Sequence, residues 1–264
     1  MAGLNSIYIG GELEVLQEIG EASVTLIYVR PPTLLAKLWG ESISEKQRND
    51  LAAELDGYVE FYNAYLAYLK PRLRQAHRIL SPDGTLYFHT DYDKAHYCKA
   101  LLLDIVFGRS NFLNEVIWAY PGAQTSQIKN RWPVSHDTVL VYAKELGQQI
   151  FNLDEIDRLR YLAPGLVDLE KQERGKLPTD AWLDIPSVEG VLRRMIRASS
   201  RRGDTVLDIF GEDGLTGEVC LEEGRKFLLI EHSTSAAKSL RQRLATKASR
   251  EQIEIVNLKP GKSD

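Results

Sequence analysis

The chain is poor in sulfur, with two cysteines and two methionines. Cys98 and Cys220 cannot build a disulfide framework, and neither stands at the spacing of a metal-binding cysteine motif, so a reducing cytoplasm is the expected setting. No run approaches the roughly 18 apolar residues that cross a bilayer. The start lacks a basic stretch followed by an apolar one, so neither a signal peptide nor a membrane span is expected. Positive charge is not in excess: 33 Lys and Arg stand against 37 Asp and Glu, a net charge of -4. A nucleic-acid partner would therefore have to meet a local patch. Internal repeats and low-complexity blocks are absent too. What is present is an ordinary globular mixture, 44% hydrophobic and 27% charged over 264 residues, enough for one large α/β domain or two small ones.

The most informative stretch is Thr205-Val206-Leu207-Asp208-Ile209-Phe210-Gly211-Glu212-Asp213-Gly214-Leu215-Thr216-Gly217. Apolar residues run into a glycine-rich turn and then a helix-like segment. A strand, a tight turn and a helix N-terminus in that order are where Rossmann-type folds hold an anionic or zwitterionic cofactor. A second apolar strand, Lys226 to Glu231, ends in a carboxylate about 20 residues after the turn, placed to accept hydrogen bonds from a ribose. The middle of the turn is Glu212-Asp213, two carboxylates where a cofactor carboxylate would need bare N–H groups.

Elsewhere strands and helices alternate. Ile7 to Gly11 reads as a strand ending in a Gly-Gly turn, and a short helix follows through Ile19. Val24 to Val29 is a strand buried on both faces. It stops at Arg30-Pro31-Pro32-Thr33, because two prolines cannot continue a central ladder. Lys37 to Asp50 is polar and reads as a loop or lid. Leu51 to Leu80 is helical, with an aromatic stripe suited to the core and Pro71 expected to kink or divide it. Ser81 to Gly84 reads as a turn before the strand Thr85 to His89. Asp91 to Phe107 reads as a helix with Leu101, Leu102 and Ile105 inward. Asn114 to Tyr120 and Thr138 to Tyr142 read as an antiparallel hairpin at a sheet edge. Between them Pro121 to Asp137 forms a polar, basic loop of functional length. Phe151 to Asp180 is weakly patterned and reads as a peripheral excursion. A helix from Val188 to Ser200, the two strands around the glycine turn, a helix from Ser233 to Arg250 and a last strand Ile253 to Val256 complete the chain. The fold class is therefore α/β, a mostly parallel sheet covered on both faces. Residues 1–258 are expected to form one domain, with 121–137 and 143–182 as excursions and 259–264 as a disordered tail.

Seven segments in order resemble the β-class DNA amino-methyltransferases. They are Asn5 to Arg30 with Leu13-Glu14-Val15-Leu16; Pro82 to His89 with Ala95-His96-Tyr97; Asn111 to Trp118; His136 to Tyr142; Trp182 to Pro186; Ile196 to Ser200; and Gly203 to Asp208. The resemblance covers nearly the whole chain. It implies a Rossmann-like, circularly permuted fold in which the catalytic strand precedes the cofactor strand. It further implies S-adenosylmethionine as cofactor, double-stranded DNA as partner and the exocyclic amine of adenine or cytosine as target. A restriction-modification setting and a homodimer, or a heterodimer with an active methyltransferase, fit the same family.

The resemblance assigns a site and exposes departures from it. The family's tetrad is an acid (or Ser/Asn), two prolines and an aromatic: the first accepts from the target amine and the last stacks on the flipped base. Here it is Arg30-Pro31-Pro32-Thr33. Arginine has no acceptor, and its cation lies where positive charge would develop. Thr33 offers no stacking face, a loss of ~1–3 kcal/mol. The cofactor pattern Asp-Pro-Phe-x-Gly-x-Gly reads Asp208-Ile209-Phe210-Gly211-Glu212-Asp213-Gly214, so a glycine has become Glu212. Gly11 stands where the family carries an Asp after Gly, and Phe210, Gly214 and Glu231 remain. A Pro-Thr-Gln-Lys-Pro segment expected between Pro186 and Val191 is missing.

Lys129, Arg131 and Trp132 in the long loop suit a nucleic-acid backbone or an extruded base. Arg193 and Arg194 could meet phosphates or form a solvated helix face. His89, Asp91 and His96 could suggest a metal, but their place in a matching segment favours structure or channel packing, and no metal site is expected. Since the departures fall on the reaction centre while the core segments stay consistent, the chain reads as a folded homologue, catalytically inactive or strongly impaired, that acts by binding DNA, a partner methyltransferase subunit, or both. An active methyltransferase with atypical motifs and an interaction protein without nucleic acid are the alternatives.

Overall fold

The computed structural model describes residues 5–32, 58–120, 130, 132–211, 213–247 and 253–258. The expected lid at Lys37 to Asp50, Thr33, Lys129, Arg131, Glu212 and the tail lie outside the described residues. The strands are β1 (Asn5–Ile9), β2 (Val24–Val29), β3 (Leu80–Asp91), β4 (Phe112–Ala119), β5 (His136–Ala143), β6 (Ala181–Trp182), β7 (Thr205–Asp208), β8 (Lys226–Glu231) and β9 (Ile253–Asn257). Among the described residues they form one nine-stranded sheet in the order β6-β4-β5-β3-β2-β7-β8-β1-β9. β5 alone runs against its neighbours, antiparallel to both β3 and β4, and every other pairing is parallel. Parallel strands need covered faces and read as unbroken apolar runs, which is why β2 and β8 are legible in the sequence.

Helices cover both faces. On one lie α1 (Glu12–Glu18), α2 (Tyr58–Ile79) and α3 (Tyr92–Cys98), which continues as a wider-wound helix over Lys99–Gly108. They bury Leu16, Leu69, Leu73, Phe88, Leu103 and Tyr142 between them and the sheet. On the other lie α5 (Val188–Ser199), α6 (Leu215–Glu223) and α7 (Thr234–Leu244), over Tyr87, Trp118, Leu192, Ile196, Phe227 and Leu240. The short α4 (Leu169–Arg174) sits in the excursion, capped by the Asp168 carboxylate on the Lys171 N–H at 2.8 Å.

Several expectations are corrected. β1 begins at Asn5, two residues before the expected start, and ends at Ile9; the expected Gly10-Gly11 turn follows, with Gly11 capping α1. Pro71 does not divide α2; Leu69 and Leu73 on either side are fully buried, and that packing offsets a proline cost of about 3 kcal/mol. Ser81 to Gly84 is a bulge within β3, because Val24 pairs with Leu80 and Leu26 with Thr85. A Cβ on Gly84 would come within 2.8 Å of the Thr25 carbonyl oxygen, so the bulge closes on glycine. Leu101 and Ile105 point outward, 52% and 62% exposed, while Leu102, Leu103 and Phe107 are buried. The wider winding of 99–108 rotates the apolar face away from 3.6-residue spacing. The β4–β5 hairpin is not the sheet edge, since β6 pairs outside β4 through Ile117 N–H to the Asp180 carbonyl at 2.8 Å. A two-residue strand carries no period to read.

Candidate functional site

Strand direction gathers the chemistry at one edge of the sheet. β2 ends at Arg30-Pro31-Pro32, β3 at Asp91, and β7 at the glycine turn; β5, running the other way, begins there with His136 and Asp137. These segments enclose a cavity of about 310 Å³. Arg30, Pro31 and Pro32 line it from one side, and Asp208, Phe210, Asp213 and Thr216 from another. The two motifs, far apart in sequence, thus share one space. Tyr65 of α2 and Val188 and Leu192 of α5 add apolar wall.

The glycine turn is built by its own acid. The buried Asp208 carboxylate accepts from the Phe210 N–H at 3.0 Å and from the Thr216 hydroxyl at 2.5 Å. Gly214 has φ of 65°, and a Cβ there would lie 2.7 Å from Leu240 Cδ2. Backbone conformation and packing both demand glycine at that point. The Asp213 carboxylate accepts from the Leu215 N–H at 2.9 Å, so a side chain of the protein already occupies part of the α6 N-terminus.

Gly11 and Glu231 do not line this cavity. They meet at the neighbouring tips of β1 and β8, where the Gly10 N–H donates to the Glu231 carbonyl at 3.1 Å. The Glu231 carboxylate accepts from the Ser233 N–H at 3.0 Å. Beside them Glu12, not singled out from the sequence, is 2% exposed and meets the Arg72 guanidinium at 3.1 Å and His232 at 2.7 Å. A signal exists: an acid one step after Gly11, where the family carries its acid one step earlier.

The feature most hidden from sequence is a side-chain relay. His89 is fully buried. Its Nδ1 lies 2.8 Å from the Tyr28 hydroxyl and its Nε2 3.1 Å from Asp137 Oδ2. Burial, followed by the Arg30 cation, outweighs the pull of Asp137 and holds the ring below the ordinary histidine value. The ring is therefore neutral near pH 7, accepts from Tyr28 and donates to Asp137. Burial, then the Asp208 charge, pushes the Tyr28 phenol far up, so it stays a donor. Burial would raise the Asp137 carboxyl, but the hydrogen bond from His89 and the Arg30 cation outweigh it and hold it below its usual range. Arg30 reaches Asp137 Oδ2 at 3.8 Å, and the Tyr120 hydroxyl donates to Oδ1 at 3.4 Å.

The signs of these shifts give a pH dependence. His89, depressed in the folded protein, contributes stability that is whole above about pH 6.5, its unfolded value, and is lost as pH falls below that. Asp137, depressed as well, contributes stability present above about pH 4 and lost as pH falls through its lower folded value. Both act in the same direction. Thermal melting from pH 8 to pH 4 should show His89→Gln with a shallower acid decline than the wild type; parallel curves would refute the assignment.

The remaining sequence candidates take other places. Arg193 binds Glu189, Glu222 and Glu223 at 2.7, 2.6 and 2.5 Å. Arg194 binds Asp184 and lies over the Trp182 ring, 5.2 Å from its centroid. Their charges are matched within the protein. Trp132 is 91% exposed. Both ring nitrogens of His89 are engaged, His96 packs on Tyr97 with centroids 4.2 Å apart, and the described residues hold no group of three metal-ligating side chains. No helix among the described residues is long and apolar enough to cross a membrane.

Comparison with known proteins agrees with this architecture. A family model described as DNA methylase (N6_N4_Mtase) matches residues 24–242. The DNA adenine methyltransferase YhdJ of Escherichia coli is 24% identical, over 96% of this chain and 87% of its own length. TTHA0409 of Thermus thermophilus, solved with S-adenosyl-L-methionine, superposes with a TM-score of 0.66 at 21% identity, covering 97% of this chain and all of that one. The cytosine-N4-specific PvuII DNA methyltransferase superposes at 0.57 with 18% identity, over 96% of this chain and 95% of its own. The solved structures share the fold.

Proposed function

The chain belongs to the DNA methylase family, and from that premise we propose that it is a DNA amino-methyltransferase homologue strongly impaired in methyl transfer, acting by binding DNA, an active methyltransferase subunit, or both. Arg30 carries this reading. It lines the cavity at the position where the family places an acceptor, yet it has five donors and no acceptor. Its charge also opposes the positive charge that an amine nitrogen gains on taking a methyl group.

The family is S-adenosylmethionine-dependent, and that cofactor when bound supplies the methyl group on a sulfonium. The residues present fit it incompletely. Asp208 and Thr216 keep the turn closed and Phe210 lines the cavity. Asp213, however, presents a carboxylate on the Leu215 N–H where the cofactor's own carboxylate would need a donor. Calorimetric titration is expected to show no binding of S-adenosylmethionine or S-adenosylhomocysteine in the micromolar range from folded protein. A micromolar Kd for either would overturn the impaired reading at the pocket. DNA binding is read separately, as a gel shift that weakens with salt.

A second reading, an active amino-methyltransferase with atypical motifs, draws on one observation: the cavity retains a carboxylate acceptor, Asp137, beside Arg30.

A further inference from the structure

We propose that Asp137 accepts the exocyclic amine of a base turned out of a DNA strand, in the place that residue 30 has given up, while Arg30 donates to the ring nitrogen beside that amine. The inference rests on the DNA-binding reading above and names the ligand edge the cavity takes.

Three observations converge on it. Position comes first: Asp137 and Arg30 line the same cavity with their charged ends 3.8 Å apart. That contact is an ion pair too long for a hydrogen bond, so donors on Arg30 stay available. Adenine and cytosine both carry an amine donor next to a ring-nitrogen acceptor, and an acceptor beside a donor is the complement of that edge. With the sugar fixed by the strand, hypoxanthine and uracil present the reverse pattern at the same two atoms. Proline rings, Tyr65 and Phe210 supply the apolar surroundings that a base plane needs.

Preorganisation comes second. The Tyr28 hydroxyl fixes the His89 ring from behind, and His89 fixes Asp137 Oδ2. A buried relay of this kind holds the carboxylate ionised and oriented before a ligand arrives, which is how a recognition group keeps its geometry.

Capacity comes third. An ionised carboxylate offers about four acceptor positions. His89 takes one, and Tyr120 at 3.4 Å takes a second weakly. Acceptor capacity remains for an amine.

The test compares the wild-type protein, without cofactor, on DNA duplexes carrying one base opposite an abasic position, read by fluorescence anisotropy. Adenine should bind about tenfold more tightly than hypoxanthine, and cytosine than uracil, the scale of one good contact to a base edge. Asp137→Asn should abolish or invert the preference. The His89 N–H would hold the amide oxygen, and the NH₂ would then face the cavity as a donor. Equal binding of amino and keto bases by the wild type, which needs no variant to fold, overturns the proposal. So does an Asp137→Asn protein that keeps the preference. Failure to bind any duplex would sink the DNA-binding reading and this proposal together, whereas equal affinities sink this one alone. A methyl-transfer result, of either sign, does not enter these binding measurements.

Discussion

Replacing Arg30 with Asn is expected to raise kcat/KM for methyl transfer to DNA by about 10²-fold over the wild type, the scale of one electrostatic contribution at a reaction centre. The substitution removes a cation from the wall of the cavity and restores an acceptor. Arg30→Asp should give a smaller gain than Arg30→Asn. The aspartate would enter a site that already holds the Asp137 carboxylate, which lies 3.8 Å from the present guanidinium. Two carboxylates that close cannot both ionise freely, and one pKa rises. Incorporation of labelled methyl at a fixed cofactor concentration measures both variants. On the proposed reading the two carboxylates of the glycine turn act on cofactor affinity, so adding Glu212→Gly and Asp213→Gly should lower the apparent KM for cofactor without changing the Arg30 effect. Unchanged transfer in folded Arg30→Asn would remove Arg30 from the explanation.

Arg225→Ala is expected to destabilise the fold by about 3–4 kcal/mol, as does the loss of one member of a buried charged network. The Arg225 side chain is fully buried at the entry to β8. It donates to the Ser200 carbonyl at 2.7 Å, the Ser200 hydroxyl at 3.2 Å and the Glu223 carbonyl at 2.8 Å. It also reaches Glu155 at 2.6 Å, tying the 151–180 excursion to the sheet. Glu155 is 42% exposed, but its loss leaves the buried guanidinium without a carboxylate, so Glu155→Ala should cost about 1–3 kcal/mol, less than Arg225→Ala. Denaturant unfolding of both variants and of the double variant separates the buried hydrogen bonds from the ion pair. A cost below about 1 kcal/mol for Arg225→Ala would show that the freed carbonyls find water.

The order of strands and helices is legible because a buried parallel sheet writes itself as apolar runs. Val24 to Val29 and Lys226 to Glu231 can be read to the residue. Winding and pairing cannot. Leu101 and Ile105 follow ordinary helical spacing, and nothing in the sequence marks the wider turn that faces them outward. Trp182 pairs with Trp118 through a strand too short to show a period. At the site, the proline turn and the glycine turn can each be found locally, and the fold brings them to one cavity. The Tyr28–His89–Asp137 relay cannot, because it depends on β5 lying antiparallel beside β3, with Asp91 opposite Asp137. Arg193 and Arg194 look free for the same reason: of the carboxylates that match them, Glu222 and Glu223 come from α6, about one crossover further along the chain.

The direction of the strands divides labour between the two ends of the sheet. Arg30, Asp137 and the glycine turn lie at one end; Arg225, Ser200, the Gly84 bulge and the anchor of the excursion lie at the other. Changes in ligand preference and changes in folding stability can therefore be made independently. A protein carrying both Arg30→Asn and Arg225→Ala should show the sum of the two single effects within about 0.5 kcal/mol. A stabilising substitution at the Arg225 end of the sheet then restores robustness without touching the cavity, leaving the chemistry free to be rewritten on an unchanged frame.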